Sequence, residues 1–322
     1  MKSRLRTIMS TFSLSAAMLA VLPAGAAEVV TSIKPLQLIT SALTEGVTQP
    51  ELLLPPDGTP HHYALKPSDM RKLADARVVI WVGPALEQFL QKPLSRTGAQ
   101  IVTLLPDSQA HESHARNEHD AHDAHDAHDA HKEEQHSEHE HHSHAAGEDP
   151  HIWLDPLNAL DMADQILPTL VEAFPDHQTR LLANRETFEQ AVRNKDAEIR
   201  AQLAAVRMNG FFVFHDAYRG FVDHYGLNQL GYFTVDPARK PGARHLAEIR
   251  HQLEQSKAVC VFSEPQFTSA VVDAITSGID VNLGELDPLA RDVQPGVHGY
   301  TDYLQMLSDK VVSCLQKKSE EN

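Results

Sequence analysis

Along almost the whole chain, short β-rich runs alternate with longer segments of helical period, and this rhythm restricts the fold more than any other feature. Residues 28–33, 51–54, 77–82 and 101–105 read as strands, with helices over 36–43 and 68–74. In the second half, 211–214, 231–235, 258–262 and 280–283 read as strands. Helices over 217–225, 244–255 and 269–277 separate them, and 300–314 closes the chain as a helix. Such strand–helix–strand units build parallel sheets covered by helices. Between the two series, Asp155-Pro156 starts a helix, with Asp as the cap and Pro at the first helical position. From Phe174 to Arg207 the chain has one Pro, Pro175, and no Gly. That stretch reads as one helix of about thirty residues, roughly 45 Å long. The expected architecture is α/β: two lobes, each with a parallel sheet flanked by helices, joined by one long rigid helix. The N-terminal lobe takes 27–173, the connecting helix 174–207 and the C-terminal lobe 208–322, with ligands expected in the cleft at the carboxyl ends of strands. An ordinary packing role for the helix fits the same pattern.

The rhythm is interrupted at 107–148. Between His111 and His144 lie 12 of the 21 His with 10 Asp+Glu and two basic residues, so half of the formal charge of −16 sits in one tenth of the chain. His-Asp-Ala repeats with a period of three through His119, His122, His125, His128 and His131. The tract has no apolar face to dock, so it reads as a mobile loop that binds several ions weakly or serves only as a solvated spacer. An acidic balance of this size disfavours nucleic acid, which normally requires a basic patch.

Residues 1–26 read as an export signal. Lys2, Arg4 and Arg6 precede an uncharged stretch from Thr7 to Ala27 with an apolar centre at 14–22 and small residues at Ala24-Gly25-Ala26. Their removal leaves a soluble product without membrane insertion. The two cysteines, Cys260 and Cys314, can pair in an oxidising compartment, at a gain of roughly 4 kcal/mol in the chain-entropy picture; two separate buried thiols are the alternative, and export favours the bridge.

Four polar residues from the two halves fall just past predicted strand ends: His61, His151, His215 and Asp287. Three neutral imidazoles with a carboxylate or water make a four-coordinate Zn²⁺ site, and the nitrogen-rich set disfavours Ca²⁺ and Mg²⁺. Asp216 and Glu264 are candidates to orient the imidazoles, with helix capping or surface charge as the alternative. Tyr63, Trp81 and Trp153 either wall the cleft or pack in the core. His177, His224, His245, His251 and His298 show no convergent spacing and read as surface or structural residues.

Several motifs together carry a family resemblance. They are Leu53-Leu54-Pro55-Pro56, His61-His62-Tyr63-Ala64-Leu65-Lys66-Pro67-Ser68-Asp69, Trp81-Val82-Gly83-Pro84, Asp149-Pro150-His151-Ile152-Trp153-Leu154-Asp155-Pro156, Phe214-His215-Asp216-Ala217-Tyr218, Ser263-Glu264-Pro265-Gln266-Phe267 and Leu286-Asp287-Pro288-Leu289. With the acidic His-rich insertion, they resemble the zinc-specific periplasmic solute-binding proteins (ZnuA type) of bacterial ABC importers. The resemblance implies that His61, His151 and His215 bind Zn²⁺ as a transported ligand, that Asp287 or water completes the sphere, and that His62 is not a ligand. Some members carry a Glu beside the first His, where this chain has Pro60. The implied protein is a non-enzymatic periplasmic monomer whose partners are the zinc ion and a membrane permease. The alternatives are a secreted zinc hydrolase, although neither His-Glu-x-x-His nor His-x-x-Glu-His occurs, and a zinc buffer or adhesin without a transporter.

Overall fold

The computed structural model describes residues 28–106, 149–235, 242–266 and 270–316. The expected signal segment 1–26 and the histidines of the tract, His119 to His131 included, lie outside the described residues. The first half runs β1 (Val29–Thr31), α1 (Lys34–Leu43), β2 (Glu51–Leu52), α2 (Pro67–Asp75), β3 (Val78–Trp81), α3 (Gln91–Leu94) and β4 (Gln100–Thr103). Two helices follow, α4 (Pro156–Ala173) and α5 (Gln178–Leu203). The second half runs β5 (Gly210–His215), α6 (Arg219–Tyr225), β6 (Gln229–Thr234), α7 (Ala243–Gln255), β7 (Ala258–Ser263), α8 (Ala270–Thr276), β8 (Asn282–Glu285) and α9 (Gly299–Leu315).

Each half forms a four-stranded parallel sheet, in the orders β2-β1-β3-β4 and β6-β5-β7-β8. Strands β1, β3 and β5 are buried along their whole length. This is why Val78-Val79-Ile80-Trp81 and Phe211-Phe212-Val213-Phe214 read as unbroken apolar runs and not as alternating ones. The identical orders place a reversal of connection between β1 and β3 in one sheet and between β5 and β7 in the other, where such sheets open a crevice at their carboxyl ends. β2 is shorter than the expected 51–54, but its ladder continues: Leu53 and Leu54 donate to the carbonyls of Thr31 and Ser32.

The long helix is a packing helix. Pro175 opens a separate turn, Pro175–His177, after the end of α4, so α5 covers 26 residues and about 39 Å, shorter than the expected span. Leu181, Phe188, Val192, Ile199 and Leu203 recur at spacings of seven and four and are all buried against α1, α4 and α9. They belong to one apolar core that runs from Val29 in the first lobe to Leu315 in α9.

Cys260 on β7 and Cys314 on α9 are joined as a disulfide, with a Cα–Cα distance of 5.8 Å. Gly284 on β8 lets that helix lie close: a Cβ there would stand 2.7 Å from the Phe262 ring and 2.9 Å from the Cys314 sulfur. His224 is structural, as expected from its lone spacing. Its ring is buried at the meeting of α4, α5 and α6, with Nε2 2.7 Å from Asp196 Oδ1 and Nδ1 3.4 Å from Asp155 Oδ1.

Candidate metal centre

Three chain segments deliver the three histidines. His61 sits in a turn of the irregular stretch between β2 and α2. Gly58 tightens that stretch, since a Cβ there would lie 2.9 Å from Leu54 and 3.1 Å from the Pro55 carbonyl. His151 precedes the short turn Ile152–Leu154 that leads into α4; it does not follow a strand as the sequence suggested. Asp155 accepts from the Leu157 amide at 2.7 Å and caps α4, with Pro156 in the first turn, so the segment's exit is fixed. His215 is the last residue of the central strand β5, a position in the strand and not beyond it.

The imidazoles converge. One ligand atom from each of His61, His151 and His215 lies within 4.8 Å of the others. Nε2 of His61 and Nε2 of His151 are 3.4 Å apart. Two nitrogens bound at about 2.05 Å to a tetrahedral Zn²⁺ would stand ~3.3 Å apart, so the observed spacing fits a shared ion. His151 and His215 are 4% and 2% exposed, and His61 is half-buried. Among the described residues, Nε2 of His215 is buried without a hydrogen-bond partner, as an atom kept for an ion would be.

The rings are held from behind. Asp149 Oδ1 accepts from the His151 backbone amide at 3.0 Å and lies 2.8 Å from His151 Nδ1, which leaves Nε2 as the donor atom toward the cluster. Burial lowers the His151 pKa from its ordinary value, against the opposing pull of Asp149. Burial pushes the Asp149 carboxyl up, but hydrogen bonds and charge from His151 and the charge of Arg219 outweigh it and hold the group below the usual carboxylate value. Burial thus favours the neutral imidazole that a metal ligand requires. Glu264 lies behind His215, with Oε1 3.5 Å from Nδ1.

The structure sorts the other candidates. Asp287 does not join the histidine cluster: its Oδ1 accepts from Gln266 Nε2 at 2.6 Å and the Leu289 amide at 3.0 Å, and its Oδ2 from the Arg291 amide at 2.7 Å. Its carboxylate shapes the loop after β8. Asp216 contacts Arg219 at 3.8 Å and accepts from Gln229 at 3.5 Å, so it does not back His215. Trp153 walls the cavity, packing on His151 and donating to the Pro288 carbonyl at 2.8 Å. Tyr63 instead packs edge-on against Phe89 and donates to Asp69, and Trp81 is a core residue whose Nε1 donates to Thr103. His62 is exposed. Asp149 was missed as an orienting residue, although Asp-x-His with Pro between is the pattern of a local turn closed by the Asp side chain.

The cavity is about 20 Å³ and is lined by the three histidines with Pro60, Trp153 and Glu264 among others. That is room for a single ion or water, far below the size of a pocket for an organic substrate.

Known proteins share this architecture and sequence. The family model of the periplasmic zinc-uptake complex component A matches residues 29–314. A high-affinity zinc uptake system protein ZnuA of Haemophilus ducreyi is 43% identical over 302 residues, covering 94% of this chain and 97% of the relative. One of Yersinia pestis is 40% identical over 300 residues, covering 91% and 92%. A ZnuA crystal structure superposes with a TM-score of 0.70 at 22% identity, covering 90% of this chain and all of that one. A laminin-binding adhesin of Streptococcus agalactiae gives 0.70 at 19% identity over 90% of this chain and 100% of that one, a likeness of fold alone.

Proposed function

The chain belongs to the family of the periplasmic zinc-uptake complex component A, and on that premise we propose that it captures Zn²⁺ through His61, His151 and His215 and hands it to the permease of an ABC importer. It is a zinc-binding component of a periplasmic uptake system, and the ion is its cargo. The observation that carries the ligand assignment is the convergence of three imidazoles from separate segments, two with Nε2 atoms 3.4 Å apart and the third with a buried, unpartnered Nε2. Water takes the fourth place, because both oxygens of Asp287 are engaged by Gln266 and two backbone amides and Pro60 brings no carboxylate.

The site favours binding over catalysis. A cavity of about 20 Å³ holds an ion and excludes the substrate that a hydrolase would need beside it. Among the described residues no helix is long and apolar enough to cross a membrane. Residues 1–26 direct export, and the mature chain acts as a monomer without nucleic acid. The histidines of the tract, His119 to His131 among them, supply loose auxiliary binding.

The test is zinc titration against a competing chelator on the wild type, on a variant with His61, His151 and His215 all changed to Ala, and on a deletion of residues 111–144. The triple variant should lose the tight site. The deletion should keep it and lower only the total stoichiometry. Tight binding that survives the triple substitution refutes the assignment, and normal growth under zinc limitation of a strain that lacks the whole protein refutes the uptake role.

A further inference from the structure

Among the described residues, Glu264 is a buried carboxylate without a Lys or Arg partner. It stands one residue past β7, across the β5/β7 reversal from His215 at the end of β5, and is 3% exposed. Its Oε1 lies 3.5 Å from His215 Nδ1 and 3.3 Å from the Tyr218 hydroxyl, which also lies 3.1 Å from the Leu286 carbonyl. Among the described residues, no Lys or Arg forms an ion pair with it. A carboxylate taken out of water costs several kcal/mol unless something balances it, so such a group is seldom kept without a use.

The balance is found in the cavity that Glu264 lines. Three histidines are neutral ligands, so a bound Zn²⁺ brings its full double charge into a site walled by Trp153 and Pro60. Asp149 offers one negative charge from the partly exposed side, where water screens it, and Glu264 offers the second from inside. We propose that Glu264 is the buried counter-charge of this site, a positioning residue that acts through His215 and makes the site select a divalent ion over a monovalent ion favouring the same nitrogen donors. This rests on the three-histidine reading above.

Cu⁺ and Zn²⁺ both accept imidazole, and they differ in charge. The test therefore compares their affinities, each by competition with a colorimetric chelator under anaerobic conditions, in the wild type and in Glu264→Gln. Removing an outer carboxylate should weaken Zn²⁺ about 10–100-fold and leave Cu⁺ largely unchanged, so the Zn²⁺/Cu⁺ ratio falls. Equal weakening of both ions means a scaffold role and overturns the proposal, as does an unchanged Zn²⁺ affinity. If Glu264→Gln fails to melt cooperatively, the ratio is read on Glu264→Asp, whose charge sits one methylene further from His215. It should fall part of the way, and an unchanged ratio overturns the proposal. A wild type without tight zinc would sink the three-histidine reading itself, a result distinct from either.

Discussion

Between pH 5 and 8 the folded protein should lose stability through one side chain, Glu87, and Glu87→Gln should abolish that loss. Glu87 is wholly buried in the turn after β3, where its Oε2 accepts from the Val82 amide at 2.8 Å and the Gly83 amide at 3.3 Å. Burial pushes its pKa from the ordinary 4.5 up to about 7, against the opposing influence of the Ser32 hydroxyl and those two amides. The folded state thus holds the proton more tightly than the unfolded one. Its contribution is fully present below pH 4.5 and is lost as the pH rises through 7. At 1.36 kcal/mol per tenfold change, the full loss is about 3 kcal/mol, most of which falls between pH 5 and 8. Gln mimics the protonated carboxyl, since its carbonyl can accept the same two amides. The assay is urea unfolding of zinc-free wild type and Glu87→Gln across this range. Histidines and other titrating groups are common to both and cancel in the difference. The variant's relative stability should rise by about 2–3 kcal/mol from pH 5 to 8, read as a shift of the urea midpoint. A flat difference, or one of opposite slope, refutes the reasoning.

Other outcomes follow from the same contacts. Asp149→Ala removes the acceptor that orients His151 and should weaken Zn²⁺ about 10–100-fold by chelator competition; unchanged affinity would show that the ring is held by packing alone. Asp287→Ala should leave zinc affinity unchanged while lowering stability by about 1–3 kcal/mol in chemical unfolding, because the Leu289 and Arg291 amides lose their acceptor; a lost tight site would return Asp287 to the ligands. Replacing both Cys260 and Cys314 by Ser opens a closure with a sequence separation of 54 and should cost about 4 kcal/mol, read as a shift in the urea midpoint.

The fold was legible where apolar runs were long and fully buried, as at β3 and β5, because a strand covered on both faces has no competing pattern. Element ends were less so. The capping Asp155-Pro156 marked the start of α4, but its end at Ala173 depends on Phe174 turning away before Pro175, which periodicity does not register. The histidines were legible as residue types that could hold a metal, and their convergence was not, since His151 and His215 are brought together by packing of α4 against the core and by the order of the second sheet. The same holds for the carboxylates. Asp287 and Glu264 look alike in sequence, each beside a Pro after a strand, yet one is consumed by loop amides and the other lines the cavity. Only the folded chain separates them.

The apolar core that runs unbroken through both lobes has a mechanical consequence. Swinging the lobes apart would uncover side chains such as Leu181, Phe188, Val192 and Ile199, at about 1.5–3 kcal/mol each, and so would consume a sum comparable to the whole stability of an ordinary domain. The compliant part lies elsewhere. Of the three histidines, His61 alone is half-buried; His151 also lies outside any helix or strand but is buried against Trp153, and His215 sits in the sheet. An ion held by these three side chains, as proposed above, would meet least resistance at His61, the one ring of the three that is not buried.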